Sequence, residues 1–343
     1  MLKVKAFYSF IIFNFNQYRL FVGRSIFARM TNRRIQRNQI KCVHLDWNGA
    51  AWRDGKLIPN YGGFMFLVFF GRFLGEIGVD SCIEFSFGNI PHKIQSDYKR
   101  ELNTLIQRYL PTNLPPHFPR DGCWDLAKEA ARLRFVNNVD QCFDKYLPSI
   151  IHHYSEGLNY SNIRITRQKL IKRHSCFQES LKVIWGHRRD SVDPVRNSNF
   201  SNFFLILHSL LKISDKVEIV NIGTPELIVQ LETTFQRHLA TCGLCEDSRI
   251  SFESNSYVTN TELILDGSLY LSDSRNGLTD FAFISEVPSL LISPKWRNHA
   301  NRSGQYFIWK TENQHWLDSD ISSDRILISK LIDLSKSILL GDK

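Results

Sequence analysis

Three clusters in the second half of the chain combine residue types that bind anions, and each cluster follows a short apolar run. They are Arg188 with Arg189, Gly223 with Thr224, and Asn276 with Gly277. Guanidinium groups and the free N–H groups at helix starts bind phosphate oxygens, and they stabilise the charge that develops when a diphosphate leaves. The clusters are therefore predicted to form one diphosphate site without a metal ion. The simpler alternative for the arginine pair is a surface ion pair.

A departing diphosphate also requires a base that removes the proton of the attacking hydroxyl. Asp46 lies at the carboxyl end of the apolar run Ile40 to Trp47, and we predict that it is the catalytic base. His44 and Asp54 are the other candidates in this region. The alternative for Asp46 is structural, because an aspartate at a strand end often only caps the following turn.

Gly62 and Gly63 stand directly before the almost wholly apolar run Phe64 to Ile77. The run predicts a buried helix, and the glycine pair at its start predicts a phosphate-sized space facing the acceptor or the diphosphate. Close packing of the helix start explains the two glycines equally well.

Histidine and cysteine pairs in the chain lack a convincing metal-binding arrangement. His152 and His153 are adjacent, so on a helix they would project about 100° apart and could not both face one ion. Cys242 and Cys245 form a single C-x-x-C pair with His238 upstream, and no second ligand pair at matching spacing accompanies them.

The run Asp318-Ser319-Asp320 has a spacing suited to a cation that holds a diphosphate. No strand is evident before it, and carboxylates are stabilised near helix starts. An exposed acidic helix start is the better explanation. We therefore predict no metal ion and no cofactor.

The elements that position these residues alternate between strands and helices. Predicted strands cover Ile40 to Trp47, Cys82 to Phe87, Leu181 to Trp185, Val217 to Ile222, Arg249 to Phe252, Leu269 to Leu271 and a run that ends at Ile292. Predicted helices cover Phe64 to Ile77, Gln95 to Leu110, Asp125 to Leu133, Cys142 to Tyr154, Ile163 to Phe177, Phe203 to Ile213, Leu227 to Leu239 and Asp324 to Leu340. Alternation of this kind predicts an α/β fold with parallel sheets. Because parallel strands end at one edge, the three anion-binding clusters should meet there.

A chain of 343 residues is long enough to form two domains, each with its own buried core. We predict a basic and aromatic helical segment over residues 1–39 and an α/β domain over 40–178. A second α/β domain is predicted over 179–325, and a last helix over 326–343 that packs back on the first domain.

Composition is that of a globular protein, with 43% hydrophobic and 22% charged residues. A formal net charge of +9 favours anionic partners. The odd number of scattered cysteines, seven, predicts a reducing, cytoplasmic compartment rather than a secreted disulfide framework. Residues 1–39 suit peripheral contact with an anionic membrane surface. The alternative is a first helix packed on the core, followed by a solvated basic connector.

The order of several short motifs carries a family resemblance. The motifs are Arg188-Arg189-Asp190, Arg196-Asn197-Ser198-Asn199, Gly223-Thr224-Pro225 and Asp273-Ser274-Arg275-Asn276-Gly277, followed by Pro288. Over roughly residues 180 to 295 this order resembles the second half of two-domain, GT-B type glycosyltransferases, in particular glycosyltransferase-like proteins of bacterial surface-polysaccharide clusters. The resemblance implies two Rossmann-like domains facing a cleft. It also implies a donor-nucleotide pocket lined by Arg188, Arg189, Asp273, Ser274, Asn276 and Gly277.

The last of these motifs departs from a related pattern. Heptosyltransferase-like relatives usually place Asp-Ser/Thr-Gly in the last turn, with a histidine close behind. Here Arg275 and Asn276 stand before Gly277, and no histidine follows closely.

Together these features predict a metal-independent glycosyltransferase that moves a sugar from a nucleotide-sugar donor to a surface-glycan or lipid-linked acceptor. A sugar-nucleotide epimerase on the same scaffold is one alternative. A non-catalytic protein that binds a glycan or nucleic acid through its basic surface is another, although nucleic acid is not the expected partner.

Overall fold

The computed structural model describes a large part of the chain and divides it into two compact units. The described residues are 33, 42–47, 50–53, 55–85, 87, 89–110, 123–125, 180–188, 198, 202–273, 276–285, 287–293, 313–318 and 324–340. The first unit spans Met1–Ile163 and the second spans Arg164–Lys343.

The first unit is built on a small parallel sheet. Its elements are β1 (Cys42–Trp47), β2 (Ala51–Arg53), β3 (Lys56–Ile58), α1 (Tyr61–Glu76), β4 (Asp80–Phe85), α2 (His92–Tyr109) and β5 (Cys123–Asp125). The sheet has the order β4-β1-β5 with both pairings parallel, and β2 and β3 form a separate antiparallel hairpin.

Helix α1 forms because an apolar run is given a polar start. The Asn60 side chain accepts a hydrogen bond from the Gly63 N–H at 3.1 Å, which satisfies one of the unpaired donors at the helix start. Phe64, Leu67 and Phe73 are fully buried. The helix therefore forms much of the core of the first unit.

The second unit contains a six-stranded sheet in which every described pairing is parallel. Its elements are β6 (Leu181–Gly186), α3 (Phe203–Leu211), β7 (Val217–Ile222), α4 (Pro225–Cys242), β8 (Ile250–Glu253), α5 (Tyr257–Asp266), β9 (Leu269–Ser272), α6 (Gly277–Ile284), β10 (Ser289–Ser293), β11 (Gln314–Asp318) and α7 (Asp324–Leu340). The strand order is β11-β10-β9-β6-β7-β8. If the six strands are renumbered along the chain with β6 as strand 1, their order across the sheet is 3-2-1-4-5-6, which is the order of doubly wound sheets. The chain therefore reverses its direction of winding between the neighbouring strands β6 and β9.

Alternate residues of each strand face opposite sides of this sheet, and both sides are covered by helices. On one side, Val183 and Trp185 of β6 share a buried core with residues of α3, α4 and α7. On the other side, Tyr270 of β9 reaches Thr279 of α6. The second unit is thus a three-layer α/β domain.

These sheets confirm the predicted α/β class. Strand β7 covers the predicted residues Val217–Ile222. Helix α7 begins at Asp324, as predicted. Four features were not predicted from the sequence: the β2–β3 hairpin, strand β5, helix α5 and strand β11. Because β11 ends at Asp318, the expectation that no strand precedes Asp318-Ser319-Asp320 was wrong.

Helix α7 packs within the second unit, whereas the sequence led us to place it on the first domain. Its buried residues Leu327, Ile328 and Leu331 belong to the same core as Val183 and Phe203. Contacts of this helix run to α3, β9 and β11. Its apolar stripe is therefore used by the six-stranded sheet.

Cysteine states differ among the described residues. Cys42 is disulfide-bonded, while Cys82, Cys242 and Cys245 are free. In the described part of the chain, every helix is too short or too polar to cross a membrane.

Several predictions lie outside the described residues. They concern nearly all of residues 1–39, the helices predicted from Asp125 to Leu133, Cys142 to Tyr154 and Ile163 to Phe177, and the side chains of Asp54, His152, His153, Arg189, Ser274, Arg275 and Asp320. Asp125 itself lies in β5.

Candidate functional site

The three anion-binding clusters lie at the carboxyl ends of three adjacent strands of the six-stranded sheet. Arg188 follows β6, Thr224 follows β7, and Asn276 follows β9. The strands neighbour one another in the order β9-β6-β7, and both pairings are parallel. The loops therefore meet at one edge, as the sequence predicts. They also flank the point between β6 and β9 where the winding reverses, which is where doubly wound sheets bind ligands.

His187 occupies the centre of this edge. Its side chain is 0% exposed, and its ring packs on Trp185 and Phe203 with centroid separations of 5.0 and 5.7 Å. Its backbone N–H donates to the Ile222 carbonyl at 2.9 Å, which ties the loop after β6 to the end of β7. The histidine is therefore held rigidly by both neighbouring strands.

The hydrogen bonds of Asn221 determine which nitrogen of His187 carries the proton. Asn221 Nδ2 donates to the Ser251 carbonyl at 3.1 Å, so Oδ1 of the same amide faces His187 Nε2 at 3.0 Å. Because an amide oxygen only accepts, Nε2 must donate. In the neutral ring, Nδ1 then carries the lone pair, and it lies 4.0 Å from Asp273 Oδ1.

Burial lowers the pKa of His187 to about 4, partly offset by the hydrogen bond to Asn221. An ion pair with Asp273 would act in the opposite direction, but 4.0 Å is beyond hydrogen-bond reach, so burial prevails. His187 is therefore neutral at pH 7. The unprotonated Nδ1 of this neutral ring therefore faces the side chain of Asp273, which is only 8% exposed.

A second polar network supports the loop after β9. The Ser272 hydroxyl donates to the Gly186 carbonyl at 3.0 Å, and the Tyr270 hydroxyl lies 3.4 Å from that of Thr279. A Cβ atom at Gly186 would lie 3.0 Å from Tyr270 Cζ and closer still to its hydroxyl, so glycine is needed there for the ring to pass. Burial raises the pKa of Tyr270, which stays protonated. The network joins β6, β9 and the start of α6 beneath the edge.

Asn276 has a clear local role as the N-cap of α6. Its side chain accepts from the Thr279 N–H at 2.9 Å. The carbonyl of Gly277 accepts from the Tyr257 hydroxyl at 2.8 Å. Both residues shape the helix start, and contact with a ligand remains a prediction for each.

The sequence Thr224-Pro225 is typical of a helix start and predicts that the threonine hydroxyl caps the helix and that the proline lies in its first turn. Thr224 is the N-cap residue of α4 and is followed by Pro225, but its hydroxyl makes no capping hydrogen bond, so the capping part of this prediction was wrong. Glu226 in the first turn adds a negative charge, which stabilises the helix. Its side chain is exposed, so solvent and salt screen its repulsion of an anion at the helix start. Gly223 has room around it, because an added Cβ would come no closer than 3.4 Å to Leu227 Cδ2.

Arg188 is the cation that the structure describes in these three loops. It is partly exposed. Its backbone N–H donates to Ser198 Oγ at 2.9 Å, and the Ser198 N–H donates to the Arg188 carbonyl at 2.9 Å. This reciprocal pair closes the loop after β6 and holds Arg188 at the sheet edge.

In the first unit, Asp46 is the next-to-last residue of β1 and stands opposite Glu84 of β4 in register. His44 is buried, with Nε2 3.4 Å from Glu84 Oε2. The role of Asp46 as a base remains a prediction.

Gly62 and Gly63 are buried in the first turn of α1. A Cβ at Gly63 would lie 2.8 Å from Cη2 of Trp47, and the Gly63 N–H is already bonded to Asn60. These contacts favour the packing alternative for the glycine pair over a phosphate-sized space.

Two residues of this sheet edge, His187 and Asn221, were not predicted from the sequence. His187 belongs to none of the motifs described above, and Asn221 lies within the predicted strand Val217 to Ile222. A polar residue inside the apolar run Val217 to Ile222 is the signal that points to Asn221, because a buried amide needs partners. The partner itself comes from a neighbouring strand.

Within the described residues, no group of three or more His, Cys, Asp or Glu side chains is arranged to hold a metal ion. In the C-x-x-C region, the Cys242 thiol lies 3.9 Å from the ring nitrogens of His238. Both Cys242 and Cys245 are exposed.

No protein-family model and no curated protein sequence matches the chain. Its structure is similar to that of ADP-heptose lipopolysaccharide heptosyltransferase II of Escherichia coli, at 11% identity over 88% of this chain and 99% of that chain, with a TM-score of 0.43. A glycosyl transferase family 9 structure from Veillonella parvula is 8% identical over 88% and 98%, with a TM-score of 0.40. A putative UDP-N-acetylglucosamine 2-epimerase from Listeria monocytogenes is 11% identical over 88% and 90%, with a TM-score of 0.44. Glycosyltransferases are thus among the solved structures that the chain resembles at low identity.

Proposed function

We propose that the protein is a glycosyltransferase that binds a nucleotide sugar at the carboxyl edge of β9, β6 and β7. The observation that carries the proposal is the meeting of three loops at the reversal point of a doubly wound parallel sheet, with Arg188 and the start of α4 on one edge. A cation and free helix-start N–H groups suit a diphosphate. The Thr224 hydroxyl does not occupy those N–H groups.

In this proposal the nucleotide diphosphate is held by Arg188, Arg189 and the loops at Gly223 and Thr224, with Asp273, Ser274, Asn276 and Gly277 on the other side of the reversal point. Charge on the departing diphosphate is stabilised by the guanidinium groups without a metal ion. Asp46 of the first unit accepts the proton of the acceptor hydroxyl. The acceptor is a surface glycan or a lipid-linked sugar.

Membrane contact through residues 1–39 completes the proposal. The segment combines aromatic residues with several arginines, a composition suited to an anionic lipid surface. Sedimentation with vesicles that contain anionic lipid, compared with neutral vesicles, tests it. Equal recovery of the full chain and of a chain that lacks residues 1–39 would remove this part of the proposal.

The central experiment is a calorimetric titration with UDP, ADP, GDP and CMP, followed by a transfer assay with the nucleotide sugar of whichever nucleotide binds. We expect binding of one nucleotide, and transfer that persists after treatment with EDTA. Conversion of the free nucleotide sugar into an epimer without an acceptor would favour the epimerase alternative. Absence of any nucleotide binding, with salt-sensitive binding to a glycan or to nucleic acid, would favour the non-catalytic alternative.

A further inference from the structure

A chain of six aromatic side chains lies at the carboxyl edge of the small sheet in the first unit. Ring contacts with centroid separations of 5.4 to 6.0 Å connect them in sequence. In order of contact they are Tyr61, Tyr98, Phe87, Phe85, Phe64 and Trp47. We call this set the aromatic platform.

The platform has a buried base and a partly exposed top. Trp47, Phe64 and Tyr98 are buried. Tyr61, Phe85 and Phe87 are partly exposed. Because the buried rings pack against the exposed ones, the exposed rings are held in place and offer a firm apolar surface to a ligand.

The position of the platform in the fold is that of a ligand site. Trp47 and Phe85 are the last residues of the parallel strands β1 and β4, and Tyr61 is the first residue of helix α1. Ligands of parallel α/β sheets bind outside the carboxyl ends of the strands.

A carboxylate stands beside the exposed rings. The Tyr61 hydroxyl donates a hydrogen bond to Glu101 Oε2, and Glu101 on α2 is itself partly exposed. Burial, and then the charge of Glu101, raise the pKa of Tyr61. Burial is also the main cause of the raised pKa of Tyr98, to which the charge of Glu101 adds a smaller part. A carboxylate has about four acceptor positions, so Glu101 can accept from a ligand hydroxyl in addition to its partners in the protein.

This combination selects against anions. A negative charge next to the start of α1 opposes the binding of a phosphate there, and Trp47 and Asn60 already close the space around Gly63. Apolar ring faces together with a hydrogen-bond acceptor match a molecule that has hydroxyl donors on its edge and CH groups on its face. A neutral sugar ring has both features.

We propose that the aromatic platform and Glu101 form a saccharide-binding site in the first unit that takes neutral sugar rings and rejects acidic ones. One ring stacks on Phe85 and Phe87, and a ring hydroxyl donates to Glu101. Binding itself does not depend on the function proposed above. The further step, that the bound saccharide is the acceptor of the transfer, rests on that proposed function.

The test uses the full chain in calorimetric titrations with two neutral trisaccharides, maltotriose and N,N′,N″-triacetylchitotriose, and one acidic trisaccharide, trigalacturonic acid. We expect at least one neutral trisaccharide to bind and trigalacturonic acid to bind at least tenfold more weakly. Phe87→Ala should weaken binding of the neutral probe at least tenfold, because it removes a stacking face. Glu101→Gln should weaken binding of the neutral probe about fivefold. It should also narrow the difference in affinity between the neutral and acidic trisaccharides.

The matched control is Asp97→Asn, which removes an exposed carboxylate on the same helix that pairs with Arg100 at 2.9 Å. It should leave saccharide affinity unchanged. Circular dichroism spectra establish that each variant is folded, and Glu101→Asp replaces Glu101→Gln if the latter does not fold; the shorter carboxylate should also weaken binding.

The saccharide site and the nucleotide site are tested by separate measurements, so either can be wrong while the other stands. If a nucleotide binds but neither neutral trisaccharide does, or if Phe87→Ala keeps full affinity, the saccharide site is wrong and the nucleotide site stands. Preference for trigalacturonic acid would likewise overturn it. If a neutral trisaccharide binds in a Phe87-dependent way and no nucleotide binds, the site in the first unit stands and the transferase is wrong.

Discussion

His187 Nε2 donates a hydrogen bond of 3.0 Å to Asn221 Oδ1, and this bond joins the loop after β6 to the interior of β7. Asn221 is fully buried, and its amide nitrogen is used by Ser251 on the next strand. One polar chain thus crosses three strands, β6, β7 and β8, just below the edge that carries the candidate site. Its members are held in one arrangement, because each polar atom lost from such a chain leaves a buried partner unsatisfied.

This buried histidine predicts acid-sensitive stability. Its pKa falls from 6.5 to about 4 on folding because burial disfavours the charged ring. The unfolded chain therefore binds more protons between these values, and stability that is fully present above pH 6.5 is lost as pH falls towards 4. The loss should amount to roughly 3 kcal/mol at about 1.4 kcal/mol per pKa unit.

Urea denaturation of the full chain at pH 7.5, 5.5 and 4.5 measures this loss. His187→Gln keeps a donor for Asn221 and cannot titrate, so its stability should fall less over the same range. If the variant and the natural chain lose the same free energy of unfolding, His187 is not the residue responsible.

Gly186→Ala should destabilise the second unit by about 1–3 kcal/mol, the usual cost of overpacking a core. The added Cβ would run into the buried Tyr270 ring, whose hydroxyl is tied to Thr279. Gly223→Ala is the matched control, since its Cβ meets only ordinary contacts at 3.4 Å or more. Thermal unfolding compares the two, and Tyr270→Phe combined with Gly186→Ala should recover part of the loss. Equal melting temperatures for the two alanine variants would contradict the packing argument.

Two helix starts differ in the use of their cap side chains. Asn276→Ala removes the hydrogen bond to the Thr279 N–H and should cost about 1 kcal/mol, whereas Asn276→Ser retains a cap and should cost less. Thr224→Ala removes a hydroxyl that makes no capping bond, so its effect should be within about 0.5 kcal/mol. Chemical denaturation at pH 7.5 distinguishes these cases. A larger loss of stability for Thr224→Ala than for Asn276→Ala would contradict these roles of the two cap side chains.

Arg188→Gln should weaken nucleotide binding about tenfold, because a charge-assisted hydrogen bond to a phosphate contributes about 1.5–3 kcal/mol. The comparison variant is Arg237→Gln, which removes an exposed arginine on α4 away from the start of that helix. Its nucleotide affinity should match that of the natural chain. Calorimetry at low and at high salt measures both, and the difference between the variants should shrink as salt rises. Equal affinity of the two variants at low salt would remove Arg188 from the site.

The sequence predicted the site best where local pattern suffices. Short apolar runs that end in polar and glycine residues are a local signal, and parallel strands end at one edge of a sheet. Arg188, Thr224 and Asn276 were therefore expected at one edge, and they lie in the loops that follow three adjacent strands. Helix α5 was missed because the polar residues Asn260 and Thr261 lie on its buried face and interrupt the apolar pattern. Strand β11 was missed because it is short and the apolar content of Gln314–Asp318 is too low to mark a strand.

What the sequence determined by itself was the α/β class, the position of most strands and helices in the second unit, and the three loops that gather at the sheet edge. Periodicity and turn residues act over a few neighbouring positions, so they can be read without knowing the fold. Only the tertiary structure decided that β9 lies beside β6, that α7 covers the six-stranded sheet, and that Tyr61 meets Glu101 forty residues away. Those contacts depend on strand order and side-chain packing between distant segments, which no local pattern specifies.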